Sequence, residues 1–153
     1  MLLLTYLLVL FSLIGLDQFS KYLVISHFDI GESLEIIRDF FSIHYVRNYG
    51  AGFSILQDQT VFLSMISLIV VCALFYLLYT TKNTEKMYKA SYLMIISGAL
   101  GNFIDRIRLS YVIDFLDFNI FGYDFPVFNV ADCFITVGCF LLMFLIMMEN
   151  KNA

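Results

Sequence analysis

Charge is what this sequence has least of. Only 14% of its 153 residues are Asp, Glu, Lys or Arg, where an ordinary soluble domain has about a quarter. Apolar residues make up 61% and the mean hydropathy is +0.85, so composition alone places the chain in a bilayer. Histidine is confined to His27 and His44, and H-E-x-x-H is absent, which argues against a zinc protease and a metal centre. G-x-S-x-G and G-x-S-G are absent too. Ser20 and Lys21 are helix neighbours that point apart, a poor serine–lysine pair. No C-x-x-C occurs: Cys72, Cys133 and Cys139 lie in apolar runs and read as small buried hydrophobes. Cys133 and Cys139 are six apart on one expected helix and cannot face each other. With a net charge of −4 and no basic cluster, nucleic acid is not an expected partner. Walker motifs, internal repeats and low-complexity tracts are missing. The first residues carry no basic n-region and no small-x-small cleavage site before Asp17, so they read as a retained helix.

What is present is a set of long apolar runs. About 20 apolar residues span the hydrocarbon. Four segments meet or approach that length, at about 2–24, 61–79, 88–104 and 127–148. The second carries no charge. The third is short and interrupted by Gly98, Gly101 and Asn102. Pro126 suits the first turn of the fourth, where a missing N–H costs nothing. Between the first two runs, Ile43, Tyr45 and Arg47 alternate with His44 and Val46 before "NYGAG". That period of two predicts a strand, a glycine turn and a further short strand, in a small sheet over about 33–57. The aromatic stretch "YVIDFLDFNIFGYDF" is expected in the membrane interface. Lys and Arg are split almost evenly between the two sides, but Lys82, Lys86 and Lys89 crowd one short loop. Their density favours that loop, and both termini, in the cytoplasm.

The polar residues inside this apolar background carry the chemistry. Asp17 and Lys21 in "DQFSK" are four apart and share a helix face. Asn48 and Gly50 belong to a glycine turn, where glycine supplies positive φ and Asn tolerates it. In "GNFIDR", Asn102, Asp105 and Arg106 share a face, and Gly98 and Gly101 permit close helix approach. Asp114 stands in "VIDF", and Asn129 and Asp132 in "FNVAD". Singly, these have ordinary readings: an ion pair, a turn, a helix cap. Counted from Pro126, Asp132 would lie roughly 9 Å inside the fourth helix at ~1.5 Å per residue. A charge at the bilayer centre costs about 2.5–3.5 kcal/mol, so Asp132 should face a wet pocket inside the bundle. All five clusters fall at one depth on one side of the membrane.

Two carboxylates in a low-dielectric pocket share a proton, because both cannot ionise cheaply. Such a pair can hold a water, one acid removing its proton while the other bonds a scissile carbonyl. Spacing alone leaves open whether Asp105 or Asp114 partners Asp132. An ion- or proton-coupled transporter also embeds acids, but it would need polar groups at several depths and commonly shows internal repeats. A structural scaffold explains the hydrophobicity and not the clusters.

In that order across four spans, "DQFSK", "NYGAGFS", "GNFIDR", "VIDF" and "FNVAD" resemble the lipoprotein signal peptidase (signal peptidase II) family. Each motif is weak; the ordered set covers essentially the whole chain. The resemblance implies an aspartyl endopeptidase of the bacterial inner membrane, with its active site near the outer face. Its members cut diacylglyceryl-modified prolipoproteins before the lipidated cysteine, work among membrane lipid without a cofactor, and are inhibited by globomycin-class cyclic peptides. Carried over, the catalytic pair is Asp114 and Asp132, with Asp105 in support. Asn48, Asn102, Arg106 and Asn129 match positions that bind substrate or orient the pair, and Asp17 and Lys21 match the polar pair of the first motif. The implied fold is four transmembrane helices, a small extracytoplasmic sheet and a short interfacial helix, which we expect at about 110–117.

Overall fold

The computed structural model describes residues 2–50 and 59–152. Four helices dominate: α1 (Leu2–His27), α2 (Thr60–Thr80), α3 (Lys86–Leu109) and α4 (Val130–Asn152). Three of them, over Leu3–His27, Thr60–Thr80 and Val130–Lys151, are long and apolar enough to cross a membrane. Their outward faces are bare hydrocarbon, with Phe11, Ile69 and Phe140 each more than 60% exposed. A water-soluble surface does not carry such continuous apolar area.

Helix α3 differs. It packs against α1, α2 and α4 and buries Lys89, Ser91, Ser97, Asn102 and Asp105 along with its apolar side chains. Close approach to α4 depends on Gly98. A Cβ there would collide with the Ala131 carbonyl and reach 2.7 Å from the Ile135 side chain. A Cβ on Gly101 would stand 2.5 Å from Asp17 Oδ2. Small residues thus let polar backbones and side chains meet at one end of the bundle. Lys89, expected in the loop between α2 and α3, lies within α3 instead, with Nζ 2.8 Å from Asn83 Oδ1.

Four antiparallel strands cap that end, in the order β1 (Ser33–Ile37), β2 (Phe41–Asn48), β3 (Val112–Ile120) and β4 (Tyr123–Asp124). The sheet expected over 33–57 is therefore wider than the sequence suggested, and half of it comes from the far end of the chain. The further strand expected after the glycine turn lies outside the described residues. The interfacial helix expected at 110–117 is a correction: most of that segment is β3. Ser110 turns the chain with φ 66°, its N–H bonded to Arg106 O, and the β-branched and aromatic residues that follow pair with β2. Aromatic content signalled an interface position but not a backbone conformation, and the alternation of Ile113 and Phe115 with Asp114 and Leu116 is that of a strand. Ile113 and Phe115 pack with Val24 and Tyr45. The register slips between Ile43 and Val46, a bulge of the kind that re-aims side chains beside functional sites. Past it, Val46 lies opposite Asp114 and Asn48 opposite Val112.

Pro126 is also relocated. Residues 125–128 run extended along β3, with Leu116 N–H to Phe128 O at 2.7 Å and Phe128 N–H to Leu116 O at 3.1 Å. Helix α4 begins only at Val130. Asp132 is its third residue, about 3 Å below its end rather than about 9 Å.

Candidate active site

The start of α4 is built by side chains. Asn129 precedes the first helical residue, and its Oδ1 accepts the Asp132 N–H at 3.0 Å. Asp132 Oδ2 accepts the Asn129 N–H in return, at 3.2 Å. This reciprocal pair is a capping box with aspartate in the usual glutamate position. The next free donor, Ala131 N–H, goes to Asp17 Oδ1 at 2.9 Å, which ties α4 to α1. Asp132 is thereby held by its own helix terminus, where the helix dipole also favours a carboxylate.

Asp114 reaches the same place from β3. Asn129 Nδ2 donates to its Oδ1 at 2.6 Å and Asn48 Nδ2 to its Oδ2 at 2.8 Å. Asn48 is in turn fixed by Gly50, whose N–H it accepts at 2.9 Å. Arg106 Nη2 donates to Gly50 O at 3.1 Å. Asn102 Nδ2 donates to Asp132 Oδ1 at 2.8 Å, and Asn102 Oδ1 accepts from Asn129 Nδ2 at 3.1 Å. Asp114 and Asp132 are thus linked through one asparagine. Both line a cavity of about 520 Å³ together with Asn48, Asn102 and Arg106. Its remaining wall is largely apolar, from Val112, Phe128, Ile135 and Val137.

Behind this wall lies a buried ionic layer. Lys21 Nζ contacts Asp17 Oδ2 at 3.0 Å, Asp105 Oδ2 at 2.8 Å and Asn102 Oδ1 at 2.9 Å. Its three protons are all used. Lys21, Asp17 and Asp105 are each at most 2% exposed, and pairing of this kind is what allows charges to be buried. Gln18 Nε2 lies within hydrogen-bond reach of Asp17 Oδ2, Asp105 Oδ1 and the Gly101 carbonyl. Asp105 Oδ2 also accepts the Ile113 N–H at 3.3 Å, which fixes the start of β3. Of the two acids left open by spacing, Asp105 turns to Lys21 and Asp114 turns to the cavity.

The charge balance singles out Asp114. Among the described residues, the four carboxyls of Asp17, Asp105, Asp114 and Asp132 share this end of the bundle with the cations Lys21 and Arg106. Burial, and then the negative charge of Asp132, push the Asp114 carboxyl from 3.8 up to about 7. The hydrogen bonds from Asn48 and Asn129 and the charge of Lys21 offset part of that rise. A neutral Asp114 beside Asp132 is therefore the form expected near and below neutrality. Among the described residues, no three His, Cys, Asp or Glu side chains converge as metal ligands would.

Every residue singled out in the sequence lies in this network: Asp17, Lys21, Asn48, Gly50, Asn102, Asp105, Arg106, Asp114, Asn129 and Asp132. Sequence reasoning left Gln18 without a role, although it sits between Asp17 and Lys21 in "DQFSK". It also missed the cavity wall of Phe128, Ile135, Thr136 and Val137. Their only signal was proximity to "FNVAD". His44 and Asp117, 3.5 Å apart and partly exposed, belong to the sheet and not to the cavity lining.

Comparison with known proteins gives a consistent picture. A family model described as signal peptidase (SPase) II matches residues 9–148. Proteins named lipoprotein signal peptidase align from Clostridium tetani (40% identical, covering 88% of this chain and 87% of that one) and from Enterococcus faecalis (38%, covering 99% and 93%). Another from Staphylococcus aureus is 39% identical, covering 89% and 83%. A bacterial membrane enzyme solved by the in meso method at 2.3 Å superposes with a TM-score of 0.91 at 36% identity, covering 97% of this chain and 90% of that one. A second, at 1.9 Å, gives 0.84 at 37%, covering 93% and 92%.

Proposed function

Because the chain belongs to the signal peptidase II family, we propose that it is an aspartyl endopeptidase of diacylglyceryl-modified prolipoproteins, with Asp114 and Asp132 as its catalytic pair. The observation that carries this reading is the joint suspension of the two acids from Asn129 in the wall of one cavity. A water held between them attacks the peptide carbonyl on the amino side of the lipidated cysteine. Asp132, ionised, takes one proton from the water as the new C–O bond forms. Asp114, protonated, bonds the carbonyl oxygen where negative charge develops. The C–N bond then breaks as Asp132 returns its proton to the departing amine. No covalent enzyme intermediate is required.

The site fits its substrate's location. A signal peptide crosses the bilayer as a helix, and its cleavage site emerges at the outer surface. We place α3 as a fourth transmembrane helix, since 24 residues rise about 36 Å and its polar side chains are sheltered by the other three helices. Both termini are then cytoplasmic, the sheet is extracytoplasmic, and the whole chain is one integral-membrane peptidase domain of the bacterial inner membrane. Val137 lines the cavity yet is 52% exposed on the outside of α4, which suits lateral entry of substrate from lipid. Globomycin-class cyclic peptides would occupy the same cavity.

The direct test incubates purified protein with a synthetic diacylglyceryl-modified prolipoprotein. Wild type should release the signal peptide, and Asp114→Asn and Asp132→Asn should each abolish release while still inserting. Near-normal turnover by Asp132→Asn would sink the assignment. Equal cleavage of the unlipidated precursor would remove lipid from the recognition.

A further inference from the structure

One hydroxyl in the cavity wall has no hydrogen bond among the described residues. Ser26, Ser64, Ser67 and Thr80 each donate to the carbonyl four residues back in their own helix, and Ser20, Ser91 and Ser97 to the one three back. Such back-bonding is the usual way a helix quiets a hydroxyl in apolar surroundings. Among the described residues of the four helices, only Ser12 and Thr136 make no such bond and have no other polar partner. Ser12 is exposed on α1, away from the cavity. Thr136 is exposed into the cavity, between Ile135 and Val137 and four residues beyond Asp132. Residues four apart lie on one helix face, so the hydroxyl and the Asp132 carboxylate point to the same side.

We propose that Thr136 is a positioning residue that donates a hydrogen bond to the peptide backbone of the substrate, on the signal-peptide side of the cleaved bond. A protease cannot attack a carbonyl that is still inside a helix, so the substrate must be extended where it is cut. Extended backbone in an apolar cavity leaves carbonyls without partners, and each costs free energy unless a donor meets it. The rest of this wall is Ile135, Val137 and Cys133, which offer hydrocarbon and a weak thiol donor. Among the described lining residues, Thr136 carries the hydroxyl. The register follows from two rises. Four residues of α4 advance about 6 Å, and an extended chain covers that in about two residues. Helix α4 runs inward from Asp132, and the substrate runs outward to the bond that is cut. The acceptor is therefore the carbonyl of the second residue before that bond.

This inference rests on the peptidase reading, and the test separates the two. A synthetic lipidated substrate is cleaved by wild type, Thr136→Val and Thr136→Ser. A second substrate replaces the amide bearing that carbonyl with an ester, a weaker acceptor. Thr136→Val, nearly isosteric, should lower kcat/KM about tenfold, the worth of one strong neutral hydrogen bond, with an unchanged melting temperature. Thr136→Ser should stay close to wild type. The ester should slow wild type by a similar factor and Thr136→Val hardly at all, a coupling that a merely structural role does not produce. Wild-type rates from Thr136→Val, or an ester penalty equal in both enzymes, overturn the proposal and leave the peptidase reading standing. A wild type that leaves the lipidated substrate intact overturns both.

Discussion

Asp114→Asn should change how the protein's stability responds to pH, not only its activity. Asp114 is 2% exposed, and its carboxyl is pushed from 3.8 to about 7 by burial and by Asp132. The folded protein thus holds this proton more tightly than the unfolded chain. Its contribution to stability is fully present below about pH 3.8 and is lost as pH rises through about 7. A rise of about three pH units, at 1.36 kcal/mol each, sets the loss on the order of 4 kcal/mol. Asparagine has the same shape and cannot ionise. It offers one acceptor oxygen where the acid offers two, so either Asn48 or Asn129 loses a partner, at a cost of about 1 kcal/mol. The substitution should therefore be mildly destabilising at pH 4 and clearly stabilising at pH 8.5. Thermal unfolding of both proteins in one detergent, from pH 4 to pH 9, measures the difference directly. A difference that stays flat over that range would refute the idea that Asp114 is buried as a neutral acid.

Other expectations follow from the same geometry. In wild type, kcat/KM should fall as pH rises through about 7, because the proposed mechanism needs Asp114 protonated against the scissile carbonyl; a pH–rate profile on the lipidated substrate checks this. Lys21→Met should cost about 3–5 kcal/mol, since it leaves Asp17 and Asp105 buried without their cation, and detergent melting curves should show it. Gly98→Val should push α4 from α3 at Ala131 and displace Asp132, lowering turnover about 100-fold, the price of roughly 1 Å at a reacting group. Asp117→Asn, whose carboxylate meets His44 and Ser42 on the sheet and not the cavity lining, should change turnover less than twofold.

The helices were legible because length and apolarity suffice to define them: the run expected at 61–79 is α2, Thr60–Thr80. The convergence of distant polar clusters was legible too, since a buried acid in an apolar helix demands a partner. Two things were not. Residues 112–120 share their aromatic richness with interfacial helices, and only pairing with β2, more than 60 residues earlier in the chain, makes them a strand. Pro126 reads equally well as a first helical residue or as the last stretch of extended chain. The choice is made by hydrogen bonds between Leu116 and Phe128, which no local pattern encodes. Yet "NVAD" held a local signal that would have started α4 at Val130: an asparagine three residues before an aspartate is a capping box in outline.

The three asparagines of the site have a direction, and groups that cannot reverse set it. Lys21 can only donate, so Asn102 must present its oxygen to Lys21 and its amide protons to Asp132. The Asp132 N–H can only donate, so Asn129 must present its oxygen there and its protons to Asp114 and Asn102. The Gly50 N–H can only donate, so Asn48 too must turn its protons to Asp114. Each amide thus faces the scaffold with its acceptor and the acids with its donors. A lysine or arginine in any of these places would also donate, but it would add a charge and pull both acids toward ionisation. An aspartate would add a third carboxylate. Only a neutral amide passes orientation from the ionic layer to the cavity without adding a charge beside Asp114 and Asp132.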